Sequence, residues 1–386
     1  MIGSKNQSTG MTNFKIPFFG LNRQYASIRD EIMMASDDVY KSGRVLDGDY
    51  TSLFELLMAK RCGREYAISV NSGTQALVFA FLAHDNGWYQ QHASNKKVLI
   101  PALSYVATLN AVIHAGFEPV FCDVDQRTGL IDLNTIDVPF QELAGMVYVN
   151  LFGNVANYSE IEGYKELFGV GTDFFIVEDA AQSFGSSWKD RPSGKLGDVS
   201  CLSFDPTKNL NNYGSGGMLL TDNYDLFGYF KDMRDNGKTH DHTSPGTNSK
   251  MSESDCAQML VKLRHFADWQ KRRQEIAEYY TEQLQDHVTV PEHLPEVTHS
   301  WSKYVIHHDD RSIIQTGLNQ AGVETKIHYA KPLHLESVAW INQIMTKYHI
   351  LQGAENFCKT CLSLPIYPEL TDSEVETVVD LIKQYT

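Results

Sequence analysis

The chain has 386 residues, 42% hydrophobic and 21% charged, enough for one large core and a smaller one in an ordinary globular protein. A formal net charge of −15 argues against a nucleic-acid role built on phosphate neutralisation, and no apolar run is long enough to span a membrane. The polar N-terminus MIGSKNQSTGMTNFK lacks the apolar core of a signal peptide, and six cysteines without one read as reduced thiols, so a cytoplasmic setting is expected.

From residue 65 onward, short apolar runs alternate with helical stretches. EYAISV (65–70) reads as a strand and is followed by the helix-like GTQALVFAFLAH. VLIPAL (98–103) precedes the helical YVATLNAVIHAG, and PVFCDV (119–124), MVYVNLF (146–152), FFIVEDA (174–180), CLSF (201–204) and GMLLTD (217–222) complete the strands. Runs rich in Val, Ile and Phe suit strands covered on both faces by helices, which predicts an α/β fold around a mostly parallel sheet. After about residue 250 the pattern turns to long helical periodicity. We therefore expect a large α/β domain over 13–250 and a smaller C-terminal domain over 251–386, with segment 13–40 packing on the small one. Cys358 and Cys361 form a C-x-x-C without a second pair, and read as packed thiols beside the strand CLSLP rather than a metal or redox site.

Four features fall at predicted strand ends. Lys208, in SFDPTKNLNNYGSGG, stands before its glycines and is followed by Asn209, the wrong order for a P-loop. A lysine in a polar turn is by default a solvated charge; the alternative is a nucleophile that forms a Schiff base with a carbonyl. VNSGTQAL (70–77) is a strand end, a small-residue turn and a helix start, where Ser72, Gly73 and Thr74 would offer amides and hydroxyls to a phosphate. FFIVEDAAQSFG (174–185) ends a strand on Glu178 and Asp179, and Asp179 could pair with a protonated ring nitrogen, with Gln182 on the same side. Tyr105, just after another strand, offers a flat face for a planar ring. Each alone has a structural reading: an N-cap, a helix-capping acid, a core aromatic. Together they supply what pyridoxal phosphate needs: a lysine, an acid, a phosphate cradle and a stacking face.

The set NSGTQAL, PALSYVATLNAVIHAGFEPVFCDVD, VEDAAQSFGS, GKLGDVSCLSFDPTKNL, YGSGGML, NSKMSE, HYAKPLH and LSLPIYPELTDSEVETVV resembles the DegT/DnrJ/EryC1/StrS family of sugar aminotransferases, from about Pro17 to the C-terminus. The resemblance implies a fold-type I pyridoxal phosphate enzyme, cycling through pyridoxamine phosphate, that forms a homodimer with active sites at the interface. It makes Lys208 the Schiff-base lysine and assigns the cofactor phosphate to Ser203 and the Gly73–Thr74 turn. Asp179 would meet the pyridine nitrogen, Gln182 the cofactor hydroxyl and Tyr105 the ring, while Asn248 would reach the phosphate from the other subunit. His328 and Tyr329 fall in the sugar-side loop. A dehydrating branch carries histidine in place of the lysine, so Lys208 favours transamination.

Departures from the family pattern at Asp205-Pro206-Thr207 and at Lys250 leave the acceptor sugar unread. The expected reaction moves an amino group from L-glutamate to a keto sugar, nucleotide-linked in most of the family, for lipopolysaccharide or another glycan. An alternative acceptor is a nucleotide-free sugar acid, 8-oxo-Kdo, giving an 8-amino sugar. From other classes, a pyridoxal phosphate desulfurase would need a reactive cysteine, for which Cys201 in a strand is poorly placed, and a non-catalytic regulator would be expected to have lost Lys208 or Asp179.

Overall fold

A computed structural model of the chain describes residues 14–85, 96–168, 174–238, 246–336 and 350–386. Two helices come first, α1 (Leu21–Ser42) and α2 (Asp49–Arg61). The central sheet then assembles from β1 (Tyr66–Val70), β2 (Lys97–Pro101), β3 (Glu118–Cys122), β4 (Leu143–Val149) and β5 (Phe175–Asp179), with α3 (Gly73–Asp85), α4 (Val106–His114) and α5 (Tyr158–Phe168) between them. After the short strands β6 (Ser187–Trp188) and β7 (Arg191–Pro192) come β8 (Val199–Ser203) and β9 (Gly217–Thr221).

The seven strands lie in the order β1-β9-β8-β5-β4-β2-β3. The expected parallel pattern holds from β3 through β2, β4 and β5 to β8. β9, by contrast, runs antiparallel to both β8 and β1. All seven residues of β4, LAGMVYV, are buried, as befits a strand covered on both faces. Gly145 is required within it, because a Cβ there would lie 2.6 Å from the ring of Phe175 on β5. Register matters most for function: Val149, Asp179 and Cys201 stand side by side at the carboxyl ends of β4, β5 and β8. Val70 and Ser203 both pair with Gly217 at that same edge. Open α/β sheets bind ligands beyond this edge.

Helix α6 (Tyr224–Arg234) returns across the sheet, and the 32-residue α7 (Glu253–Leu284), capped where Ser252 Oγ accepts from Asp255 N at 3.1 Å, carries the chain away from it. The C-terminal part contains β10 (Val297–Thr298), β11 (Tyr304–His307), α8 (Arg311–Ala321), a helix over Gln352–Thr360, β12 (Cys361–Leu364) and a last helix over Asp372–Tyr385. The antiparallel β11–β12 pair packs with α7, α8 and the last helix in a second apolar core containing Tyr280, Tyr304, Leu364 and Val378. The N-terminal segment reaches this core: Ile16 pairs with Val323, Arg23 bridges to Glu374 at 2.7 Å, and α1 lies along α7.

All six cysteines are buried free thiols. Burial pushes Cys358 up to about 12 and Cys361 up to about 11, and no metal-binding group of His, Cys, Asp or Glu occurs among the described residues. Among those residues no helix is long and apolar enough to cross a membrane.

Candidate active site

A cleft of about 500 Å³ opens at the carboxyl edge of the sheet, where the β11–β12 half meets it. It collects Ser72, Gly73, Thr74, Tyr105, Asp179, Gln182, Ser203, Lys208, His328 and Tyr329, residues spread over most of the chain. A larger, more open depression of about 1130 Å³ lies elsewhere, along 285–290 and 307–310, and holds none of them.

Asp179 is 3% exposed. Its Oδ2 accepts the Thr108 hydroxyl at 2.8 Å and its Oδ1 the Ala181 amide at 3.2 Å. Burial raises its pKa against those two donors and the nearby Lys208 charge. Thr108 was not foreseen, yet it stands three residues after Tyr105, the N-cap of α4, which is the spacing of one helix face. Lys208 lies in the turn after β8, its own amide donating to Asp205 O at 2.9 Å. Its ε-amine makes no hydrogen bond or ion pair among the described residues. Burial lowers its pKa, opposed by Asp179 and Asp205. A lysine so placed is available as a neutral amine more readily than a surface one.

The turn before α3 is built for close approach. Ser72 Oγ accepts from Gln75 N at 3.1 Å and Ser72 O from Ala76 N at 3.1 Å, while the amides of Gly73 and Thr74, first in the helix, have no partner among the described residues. A Cβ on Gly73 would lie 2.7 Å from Ser203 Cβ, and one on Gly217 would lie 2.4 Å from Ser72 C. Three strands thus bring two free amides and the Ser203 hydroxyl to one point, a fit for a phosphate.

Gln182 is held rigidly, its Oε1 accepting from Phe152 N at 3.0 Å and its Nε2 donating to Tyr329 OH at 3.1 Å. Tyr105 is 56% exposed at the lip, its ring 6.2 Å from that of Tyr329. His328, hydrogen-bonded through Nδ1 to Ser363 Oγ at 2.8 Å, is kept neutral by burial and by the neighbouring Lys303, Lys326 and Lys208. Asn248 is exposed and does not line this cleft. Cys201 is 1% exposed within β8, its thiol pKa pushed up by burial, which leaves it no nucleophilic role. The cleft also gathers Asp205, from the segment that departs from the family pattern, and Phe19, Lys303 and Lys326, which carry no local signal in the sequence.

The residues present fit pyridoxal phosphate: an unpaired lysine amine, a buried acid, and a cradle too tight for a side chain.

Comparison with known proteins agrees. The profile of the DegT/DnrJ/EryC1/StrS aminotransferase family matches residues 26–383. The chain is 30% identical to a pleiotropic regulatory protein of Geobacillus stearothermophilus, over 96% of this chain and 98% of that one. It is also 30% identical to the dTDP-3-amino-3,6-dideoxy-alpha-D-galactopyranose transaminase of Aneurinibacillus thermoaerophilus, over 96% and 99%. Among solved structures, NtdA of Bacillus subtilis with bound cofactor PMP superposes with a TM-score of 0.86 at 27% identity, covering 96% of this chain and 85% of that one. The protein is therefore a member of the DegT/DnrJ/EryC1/StrS aminotransferase family.

Proposed function

We propose that this aminotransferase, with pyridoxal 5′-phosphate as cofactor, moves an amino group from L-glutamate to the carbonyl carbon of a nucleotide-linked keto sugar. The observation that carries the reading is the unpartnered Lys208 amine sharing one cleft with the buried acid Asp179. The dTDP-sugar transaminase among the relatives supports the nucleotide-linked acceptor. Over the two half-reactions glutamate takes up the oxygen of one water and leaves as 2-oxoglutarate, and the sugar gains the amine while its carbonyl oxygen departs as water.

When bound, the cofactor supplies an aldehyde for an amine and a protonated ring that draws electrons from the substrate carbon. The chain supplies the rest. Lys208 Nζ would hold the cofactor's aldehyde and, as a free amine, would move the proton at the substrate carbon. Asp179, held in place by the Thr108 hydroxyl and the Ala181 amide, would meet the ring nitrogen and favour its protonated form. The Gly73 and Thr74 amides and the hydroxyls of Ser72, Thr74 and Ser203 bind the phosphate. Tyr105 would cover the ring, Gln182 would stand by its hydroxyl, and His328 with Tyr329 would face the sugar.

A second copy of the chain completes the site in this reading. Asn248, exposed and outside its own cleft, meets the phosphate of the partner, and the exposed apolar residues Met33, Met34, Tyr40, Leu53 and Leu56 on α1 and α2 offer a surface for pairing.

The test is spectroscopic. L-Glutamate should bleach the visible band of the lysine-bound cofactor, and after donor removal a nucleotide-linked keto sugar should restore it. A band that glutamate leaves unchanged would overturn the donor. Restoration only by nucleotide-free sugars would overturn the acceptor.

A further inference from the structure

Lys303 is a lysine without a counterion inside the cleft. It immediately precedes β11, is 4% exposed, and lines the cleft together with Lys208 and His328. Its ammonium lies 5.5 Å over the ring of Phe19 and makes no hydrogen bond or ion pair among the described residues. The charges facing it are mostly of its own sign, Lys208, Arg273 and Lys326, opposed by Asp205. None of these neighbours answers it. Asp205 Oδ1 is occupied by the amide and hydroxyl of Thr207, at 2.9 and 2.6 Å. Lys326 has its own acid, Glu324, at 2.9 Å. Arg273 is spent on the carbonyls of Trp301 and Ile366. Burial and these cations lower the Lys303 pKa to about 7. A buried cation of this kind costs stability unless something of opposite charge arrives.

Its backbone is fixed to the same frame as Lys208. Lys303 N donates to Phe152 O at 3.1 Å, and Ser300 N to Gly153 O at 3.0 Å. Asn209, the residue after Lys208, donates from Nδ2 to Ser300 O at 2.8 Å. The backbones that carry the two amines are therefore tied to one another, as a group that must place a reacting substrate against Lys208 has to be. The phosphate cradle is accounted for by residues of α3 and β8, which leaves Lys303 for the substrate.

Resting on the aminotransferase reading above, we infer that Lys303 is a substrate-positioning residue that pairs with a carboxylate of the substrate and so fixes the carbon next to it against Lys208. That carboxylate belongs either to the donor amino acid or to an acidic sugar acceptor; both present the same anion to the same ammonium. A charge-assisted pair of this kind, formed out of water, holds the reacting carbon without taking part in the proton transfer.

The test uses the cofactor-loaded enzyme and two variants: Lys303→Met, which keeps the stem over Phe19, and Lys303→Arg, which keeps the charge. Retention of the visible cofactor band shows that the Lys208 site is intact; if Lys303→Met fails to fold, Lys303→Gln replaces it. With L-glutamate as probe, the half-saturation for bleaching should rise about tenfold or more in Lys303→Met while the limiting rate changes less than about threefold, and Lys303→Arg should recover most of the loss. If glutamate is unaffected but half-saturation rises for a keto sugar acid and not for its neutral counterpart, the pair is with the acceptor and the inference stands. If no half-saturation moves by more than about twofold, it is overturned. Should the wild type fail to bleach with glutamate, the donor reading falls separately, and succinate titrated into the same holoenzymes decides Lys303: weaker binding by Lys303→Met supports the pair, equal binding refutes it.

Discussion

Two neighbouring carboxylates on β5 point to opposite faces of the sheet and meet opposite fates. Glu178 is wholly buried and accepts from Asn150 Nδ2, the Ser193 and Ser200 hydroxyls, and the amides of Gly194 and Leu196, all at 2.6 to 3.0 Å. Asp179, one residue on, has two donors and looks into the cleft. A carboxylate with every lone pair taken is finished within the fold and serves it as a bolt between β4, β5, β8 and the Ser193–Leu196 loop. One with spare capacity at a ligand edge is left for something that arrives later. Both are acids at a strand end; the donor count separates structure from function.

The largest effect expected is at the centre of the open side. Lys208→Ala should remove the visible cofactor band and lower turnover by about a thousandfold or more, read by absorbance and by amine transfer. Next comes the swap that tests the contrast directly. Asp179→Asn should cut turnover by about a hundredfold while leaving unfolding by urea within about 1 kcal/mol of wild type. Glu178→Gln should do the reverse, losing about 3 kcal/mol of stability with turnover per folded molecule within about threefold. If the two variants behave alike, the distinction drawn between the faces is wrong.

Smaller still is Gly217→Ala. Its new methyl collides with the backbone at Ser72, so cofactor affinity should fall about tenfold and stability by about 2 kcal/mol, checked by equilibrium dialysis and denaturation.

The last effect is a gradual one, on the histidines. Burial lowers His84, His299, His307 and His328, His307 to about 4 from the ordinary 6.5. Native histidines then stay neutral where unfolded ones take a proton, so stability present above pH 6.5 is lost as pH falls toward 4. Each contributes a slope of about 1.4 kcal/mol per pH unit, and His307→Asn should flatten the curve measured by urea unfolding at successive pH values.

Much of this architecture is legible in the sequence because the inner strands are apolar on both faces and short. The apolar run MVYVNLF extends beyond its strand: the strand ends at Val149, and Leu151–Gly153 is a turn in which Phe152 and Gly153 take φ of 62° and 97°. The turn is itself buried, so hydrophobicity runs on past the strand and hides the boundary. The antiparallel direction of β9 leaves no trace in composition. In the cleft, Lys208, Asp179 and the Gly73 turn announce themselves through local chemistry beside strand ends. Lys303 does not, because what distinguishes it is a surrounding set of mostly cationic neighbours that only the fold assembles.

The strand order carries a consequence for the birth of the protein. β9 is the last strand of the large sheet to be made, yet it lies between β1, the first, and β8. Until residues 217–221 have emerged, β1 has no partner, β8 presents an open edge, and Gly217 is not there to close the turn at Ser72. A nascent chain stalled before that point carries two unpaired strand edges and no grip for its cofactor, which makes it prone to pair with its neighbours. Completion of the sheet and competence to bind are one event, and it comes late in synthesis.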